Sequence, residues 1–211
     1  MIKEFCAENF TKIEQAINLG ANRIELCDNL AGGGTTPSIG VIEQTLKVTQ
    51  PQSVPVMVMI RPRTGNFVYT DAEFDIMKRD LELVKNTGAE GVVFGCLTAN
   101  GRINRQQMTE LIERADGMET VFHMAFDHID DAYKMEELQW LITRGVTRLL
   151  THGGIGGLVM DHRESLEQII AQAGEAIEIL LGGGVSYENI EEITTALDTQ
   201  QVHGTRIVKG I

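Results

Sequence analysis

The chain has 211 residues, 43% hydrophobic, 23% charged and 5% aromatic, a balance that fits one compact domain spanning 1–211 and excludes collagen-like, disordered and disulfide-scaffold classes. With 30 acidic residues against 18 basic ones the net charge is −12, the reverse of the basic footprint that phosphate backbones demand, so nucleic acid is excluded as an expected partner. No apolar run approaches the roughly 20 residues of a membrane span, and the amino terminus MIKEFCAENF carries no signal pattern, so a cytoplasmic location away from membranes is expected.

Short β-rich runs alternate with longer segments of helical period from one end to the other. In chain order the expected elements are a strand near Ile2–Cys6, a helix over Phe10–Leu19, a strand at Arg23–Cys27 and a helix over Ile39–Val48. A strand at Pro55–Ile60, a helix over Asp71–Asn86, a strand at Gly91–Gly95 and a helix over Arg105–Ala115 follow. The second half brings a strand at Thr120–Phe126, a helix over Asp130–Thr143, a strand at Arg148–Thr151, a helix over Asp161–Ala173, a strand at Ile177–Leu181, a helix over Tyr187–Leu197 and a last strand at Val202–Ile207. The phrases NLGANRIELC, NTGAEGVVFG and TRGVTRLLTH each put a glycine where a helix would close, shortly before an apolar strand. One supersecondary phrase repeated around the chain predicts a closed α/β ring, a (β/α)8 TIM-type barrel, with the last helix missing. That would leave the outer face of the first and eighth strands to be shielded by an earlier helix or by a second copy in a homo-oligomer.

Alternation along each strand then sorts the side chains, because the helix-facing set must be apolar. Ile24 and Leu26 suit the outside, which turns Arg23, Glu25 and Cys27 inward; Val56, Val58 and Ile60 do the same for Met57, Met59 and Arg61. With Phe122, Met124 and Phe126 facing the helices, His123, Ala125 and Asp127 are expected inside, and the first strand offers Glu4 and Cys6. Barrel interiors are ordinarily branched aliphatic, so this polar set is either a mutually neutralising network or a site at the strand carboxyl ends. As a site, Glu25, Arg61, His123 and Asp127 are the groups suited to orienting a substrate and moving protons.

Two further features bear on ligands. Gly182, Gly183 and Gly184 follow the seventh strand, where many barrels of this type bind phosphate through backbone N–H groups, and Arg61 and Arg63 carry fork-shaped donors suited to a carboxylate or phosphate. Cys6 and Cys27, on adjacent strands with the same facing, bring two soft sulfurs together, with the thioethers of Met57 and Met59 beside them; thiolate and thioether select Cu(I) over hard cations. The third cysteine, Cys96, reads as a core residue. His152 opens the loop THGGIGG at the mouth, and His203 sits on the eighth strand. No HExxH, GxxxxGK, GxSxG or strand-borne GxGxxG is present.

The phrases EFC (Glu4–Cys6), GANRIELC (Gly20–Cys27), GGGTTPS (Gly32–Ser38), MIRPRTGNFVYT (Met59–Thr70), FHMAFD (Phe122–Asp127) and LLTHGG (Leu149–Gly154) make the chain resemble the CutC copper-homeostasis family across nearly its whole length. The resemblance implies a (β/α)8 barrel, a cytoplasmic protein of copper handling, and Cu(I) binding through cysteines that map onto Cys6 and Cys27. Two functions therefore stand side by side: a Cu(I)-binding protein of copper homeostasis, and a barrel enzyme acting on a small anionic metabolite, phosphorylated ones included.

Overall fold

The computed structural model describes residues 1–211. Eight strands and seven helices alternate: β1 (Ile2–Glu8), α1 (Ile13–Asn18), β2 (Arg23–Cys27), α2 (Ile39–Thr49), β3 (Val56–Met59), α3 (Asp71–Lys85), β4 (Gly91–Phe94), α4 (Arg105–Arg114), β5 (Glu119–Phe122), α5 (Asp131–Thr143), β6 (Arg148–Thr151), α6 (Arg163–Ala173), β7 (Glu178–Leu181), α7 (Ile190–Leu197) and β8 (Gln201–Gly204). Every strand pairs in parallel with its neighbours in chain order, and β8 pairs with β1 to close the ring. No helix is long and apolar enough to cross a membrane.

The helices begin where side chains satisfy their free N–H groups. Thr70 and Glu73 form a reciprocal capping box at α3, and Ser38, Asn104 and Asp130 accept backbone N–H bonds at α2, α4 and α5. The recurring glycine of the three echoing phrases adopts positive φ just beyond α1, α3 and α5, at Gly20, Gly88 and Gly145, which lets each chain leave its helix and enter the next strand directly.

Most of the apolar core lies between sheet and helices. There 49 buried residues pack as one cluster, against a cluster of 7 inside the barrel that contains Cys27, Met57, Met59, Val93, Val121, Leu150 and Leu180. The interior is therefore left largely to polar groups, and the strand register stacks them in rows. Arg23 and His203 both pair with Glu4; one step higher Cys6 pairs with Glu25, which in turn pairs with Met57; Cys27 lies a step higher still, opposite Glu8.

Three expectations are corrected. β5 stops at Phe122, and Met124–His128 form a 3-10 turn. The pleat therefore ends before residue 124: Met124 packs against the inner cluster rather than the helices, and Ala125 joins the outer core. α1 starts only at Ile13, because Asn9 and Lys12 take left-handed backbone ahead of it. Finally, β8 ends at Gly204, and the outer face beside it is not bare: Ile207 and Val208 are buried in the core, and the Gln15 side chain donates to the Gly210 carbonyl at 2.9 Å. The tail thus covers part of the face that was expected to lie open.

Candidate metal centre at the barrel mouth

Inward pleating of β1 and β2 brings Cys6, Glu25 and Cys27 together so that their two sulfurs and a carboxylate oxygen lie within 4.8 Å of one another, all buried. The Cys6 and Cys27 thiols approach Glu25 Oε2 at 3.4 and 3.6 Å. The other carboxyl oxygen, Oε1, is buried without a partner. A cavity of about 240 Å³ opens beside these groups, lined also by Leu30, Gly33, Met59, Phe67, His123, Met124, Leu150, His203 and Thr205. The loop after β2 closes over the sulfurs: a Cβ at Gly34 would sit 3.2 Å from Cys27 Sγ and 3.6 Å from the Met59 methyl, so only glycine lets the backbone come this near.

Beneath the sulfurs runs a relay of charges. Arg23 pairs with Glu4, Glu4 Oε1 meets His203 Nδ1 at 2.8 Å, and His203 Nε2 lies 3.5 Å from Glu25 Oε2. Arg23 also donates to Gln201 at 2.8 Å, and Arg148 seals the far end of the barrel against Glu119 and Glu178 at 3.0 and 2.6 Å. Burial alone would lift the Glu4 carboxyl, but the His203 hydrogen bond and the Arg23 charge outweigh it and hold Glu4 down to about 2. Burial opposes charge on His203 as well, and the negative groups Glu25, Cys6 and Glu4 more than offset it, leaving the imidazole well above its ordinary range. Among the acids around the sulfurs, Glu25 is pushed up mainly by burial. Cys27 is pushed up by giving its proton to Cys6 and by burial; accepting that bond holds Cys6 well below the usual thiol value.

These directions fix a pH dependence. Glu4, depressed on folding, stabilises the fold fully above its ordinary value of 4.5, and that contribution fades as pH falls from there through about 2. His203, raised on folding, contributes fully below its ordinary 6.5, and its share fades as pH climbs beyond that value. Urea midpoints measured across pH should therefore fall on both sides of the interval between 4.5 and 6.5, and His203→Gln should lose the alkaline limb selectively. A flat profile above neutrality in wild type would contradict the arrangement.

The other candidate residues go to several places. His123 lines the same cavity as the thiols. Arg61 does not: its Nη1 donates to the carbonyls of Gly32, Gly33 and Gly34 at 3.1, 3.0 and 2.8 Å, its Nη2 to Gly65 O at 2.7 Å, and its guanidinium stacks 4.9 Å from the Phe67 ring centroid. Arg63 lies outside, bonded to Glu73 at 2.5 Å and to the Asn66 and Val68 carbonyls at 2.8 Å each. Asp127 is buried in the 3-10 turn and accepts from Thr151 Oγ1, His152 N and Gly153 N at 2.5, 2.9 and 3.0 Å, which ties the end of β5 to the loop after β6. Gly183 lies against the His152 ring, where a Cβ would come within 2.5 Å, and Gly184 against Leu158. Both border a second cleft of about 250 Å³ shared with Cys6, Met124, His203, Thr205 and Arg206, while α7 begins only at Ile190.

Two members of the mouth escaped the sequence reading. His203 was legible in principle: buried Val202 faces outward, so alternation turns its neighbour in, but a four-residue strand gives little pattern to read. Met124 carried no such signal, since FHMAFD alternates like a strand and folds as a turn.

Comparison with known proteins bears on this geometry. The profile described as the CutC family matches residues 1–208. A CutC family protein of Enterococcus faecalis is 53% identical over 99% of this chain and 100% of its own length, and a copper homeostasis protein cutC homolog of Homo sapiens is 38% identical over 96% of this chain and 72% of its own. The crystal structure of the CutC protein from Streptococcus agalactiae superposes with a TM-score of 0.95 at 39% identity, covering 99% of this chain and all of that one.

Proposed function

The chain belongs to the CutC family, and from that premise we propose that it is a copper-homeostasis protein that takes Cu(I) on the sulfurs of Cys6 and Cys27 in a reducing, cytoplasmic setting. The observation that carries this reading is the meeting of two buried thiols and one carboxylate within 4.8 Å beside the inner apolar cluster that includes the Met59 thioether. Such a donor set suits a soft monovalent ion and poorly suits hard cations, which seek several oxygens. The unpartnered Oε1 of Glu25 is a further sign that the site is short of a ligand or a proton.

Binding to thiolates displaces thiol protons. Cys6 is already disposed to be a thiolate, and Glu25 Oε2 stands within 3.6 Å of the Cys27 sulfur, with His203 behind it to balance charge. Glu25 and His203 thus serve the sulfurs by holding protons. The alternative, catalysis on a small anionic metabolite, has less support, because the terminal guanidinium nitrogens of Arg61 and Arg63 already donate to protein oxygens.

A competition titration against a chromophoric Cu(I) chelator, under anaerobic reducing conditions, tests the proposal. One ion per chain is expected, with affinity weakened at least tenfold, ~1.4 kcal/mol or more, in the Cys6→Ser, Cys27→Ser double variant. Equal affinity in the two proteins would refute it.

A further inference from the structure

The glycine run after β7 takes no part in the thiol site. Gly183 and Gly184 both have positive φ, 89° and 78°, and neither N–H meets an acceptor in the protein. Their carbonyls are engaged: Val159 N donates to Gly183 O at 3.2 Å, and Asn189 Nδ2 to Gly184 O at 3.0 Å. The Gly184 N–H shares a trans peptide with the Gly183 carbonyl, so it is turned away from Val159. Gly184 is exposed, and both glycines line the second cleft at the mouth, of about 250 Å³. No helix N-terminus contributes, since α7 starts only at Ile190.

The same cleft is lined by the chain after β8, where Thr205 and Arg206 are exposed. Backbone contacts fix Arg206 to the β7 side: Tyr187 N donates to Arg206 O at 2.9 Å, and Ser186 forms a parallel bridge with Arg206. The Arg206 guanidinium forms no ion pair, whereas Arg23, Arg63, Arg102 and Arg148 all pair with carboxylates. In a chain of 30 acidic residues the lining of this cleft contains none; Glu4 and Glu25 stop at His203, which they approach at 2.8 and 3.5 Å. An unshared guanidinium, two free N–H groups and no carboxylate favour a negative charge, and a planar fork beside backbone donors suits the several oxygens of a phosphate. The cleft adjoins the cavity beside the sulfurs, because Cys6, Met124, His203 and Thr205 line both. That cavity adds about 240 Å³, with apolar surface from Leu30, Phe67 and Leu150.

We propose that the loops after β7 and β8 bind the phosphate of a small phosphate monoester on the Gly183 and Gly184 N–H groups and the Arg206 guanidinium, with the organic part lying toward the cavity beside the thiols. This site needs neither Arg61 nor Arg63, whose terminal nitrogens already donate to protein oxygens. It goes beyond copper binding and does not depend on it.

Phenyl phosphate is the probe that tests this, titrated into the metal-free full chain and followed by calorimetry and backbone ¹⁵N–¹H resonances. One saturable site per chain is expected, with the amide signals of Gly183 and Gly184 shifting. Inorganic phosphate, which lacks the ring, phenol, which lacks the charge, and benzoate, which offers only two oxygens, should each bind at least about fivefold more weakly. Arg206→Gln should weaken phenyl phosphate at least about tenfold; the residue is exposed and its side chain unpaired, so the variant is expected to fold as wild type does. Lys209→Gln, which removes another exposed cation of the same tail that lines neither cleft, should leave the affinity unchanged. The Cys6→Ser, Cys27→Ser variant should still bind the probe, which separates this inference from the copper reading. No saturable binding to wild type overturns the proposal, and so does unchanged affinity in Arg206→Gln. An equal loss in Lys209→Gln, the mark of a diffuse response to charge, or equal affinity for inorganic phosphate, phenol or benzoate, overturns it as well. Should Arg206→Gln fail to fold, the order of the four probes and the glycine amide shifts in wild type decide the matter alone.

Discussion

Replacing Glu4 with glutamine is expected to cost about 3–5 kcal/mol of folding stability, the usual penalty for removing one member of a buried ionic set. Glu4 is 1% exposed and is the only carboxylate between the Arg23 guanidinium and the His203 imidazole. Glutamine keeps the shape and one acceptor but removes the charge that both cations were desolvated against. Arg23 and His203 would compete for the one remaining oxygen, and the loser would retain only the Arg23–Gln201 bond or the 3.5 Å His203 approach to Glu25. Urea denaturation near pH 6 measures the loss, and the same variant should show a lower His203 pKa by imidazole NMR. The sign of the cost is tested by Glu4→Met with Arg23→Met: with both charges gone the double variant should be less destabilised than Glu4→Gln, since apolar replacement of a whole buried pair is often tolerated. A loss below about 0.5 kcal/mol in Glu4→Gln, the range of ordinary surface changes, would contradict the account.

Arg61→Leu is the second large effect, expected at about 3 kcal/mol or more. Arg61, 3% exposed, spends four donor contacts on the carbonyls of Gly32, Gly33, Gly34 and Gly65, and hydrogen bonds from a charged donor contribute about 1.5–3 kcal/mol each before non-additivity. Leucine would leave the buried Gly34 carbonyl facing an apolar side chain and strip the other three, which are partly buried, of their donor. Lysine should restore only part, because one ammonium cannot span a fan of acceptors that a planar fork meets at once. Since the same loop lies against Cys27 at Gly34, loosening it should also speed alkylation of Cys27 in the native state. Unchanged stability together with an unchanged alkylation rate would show that the guanidinium does not hold the loop.

Much of the frame could be read in the sequence because its signals are local. Alternation in Arg23–Cys27 and Val56–Met59 is strict, so Glu25, Cys27, Met57 and Met59 were placed inward correctly, and glycines after the helices marked where each strand begins. The signals failed where a pattern served two structures. His123–Asp127 alternates polar and apolar residues, yet the chain leaves the sheet at Phe122, and a 3-10 turn has a different period from a strand, which moved Met124 to the mouth and Asp127 to the loop after β6. Arg61 was expected to face the interior, but where its donors go depends on a loop some 27 to 29 residues earlier in the chain, and such long-range carbonyl acceptors leave no trace in composition or spacing.

The strand register has one more consequence. Cys6 stands opposite Glu25 and Cys27 opposite Glu8, so the two cysteines are staggered by two residues on neighbouring strands. That stagger separates their Cα atoms by about 8 Å, beyond the roughly 7 Å that an S–S bridge can span without moving backbone. Their sulfurs can come within hydrogen-bond reach of each other and converge on a third atom, but not form a bond. An internal S–S bridge would therefore require the two strands to shift, so the fold itself keeps both sulfurs free for a shared third atom.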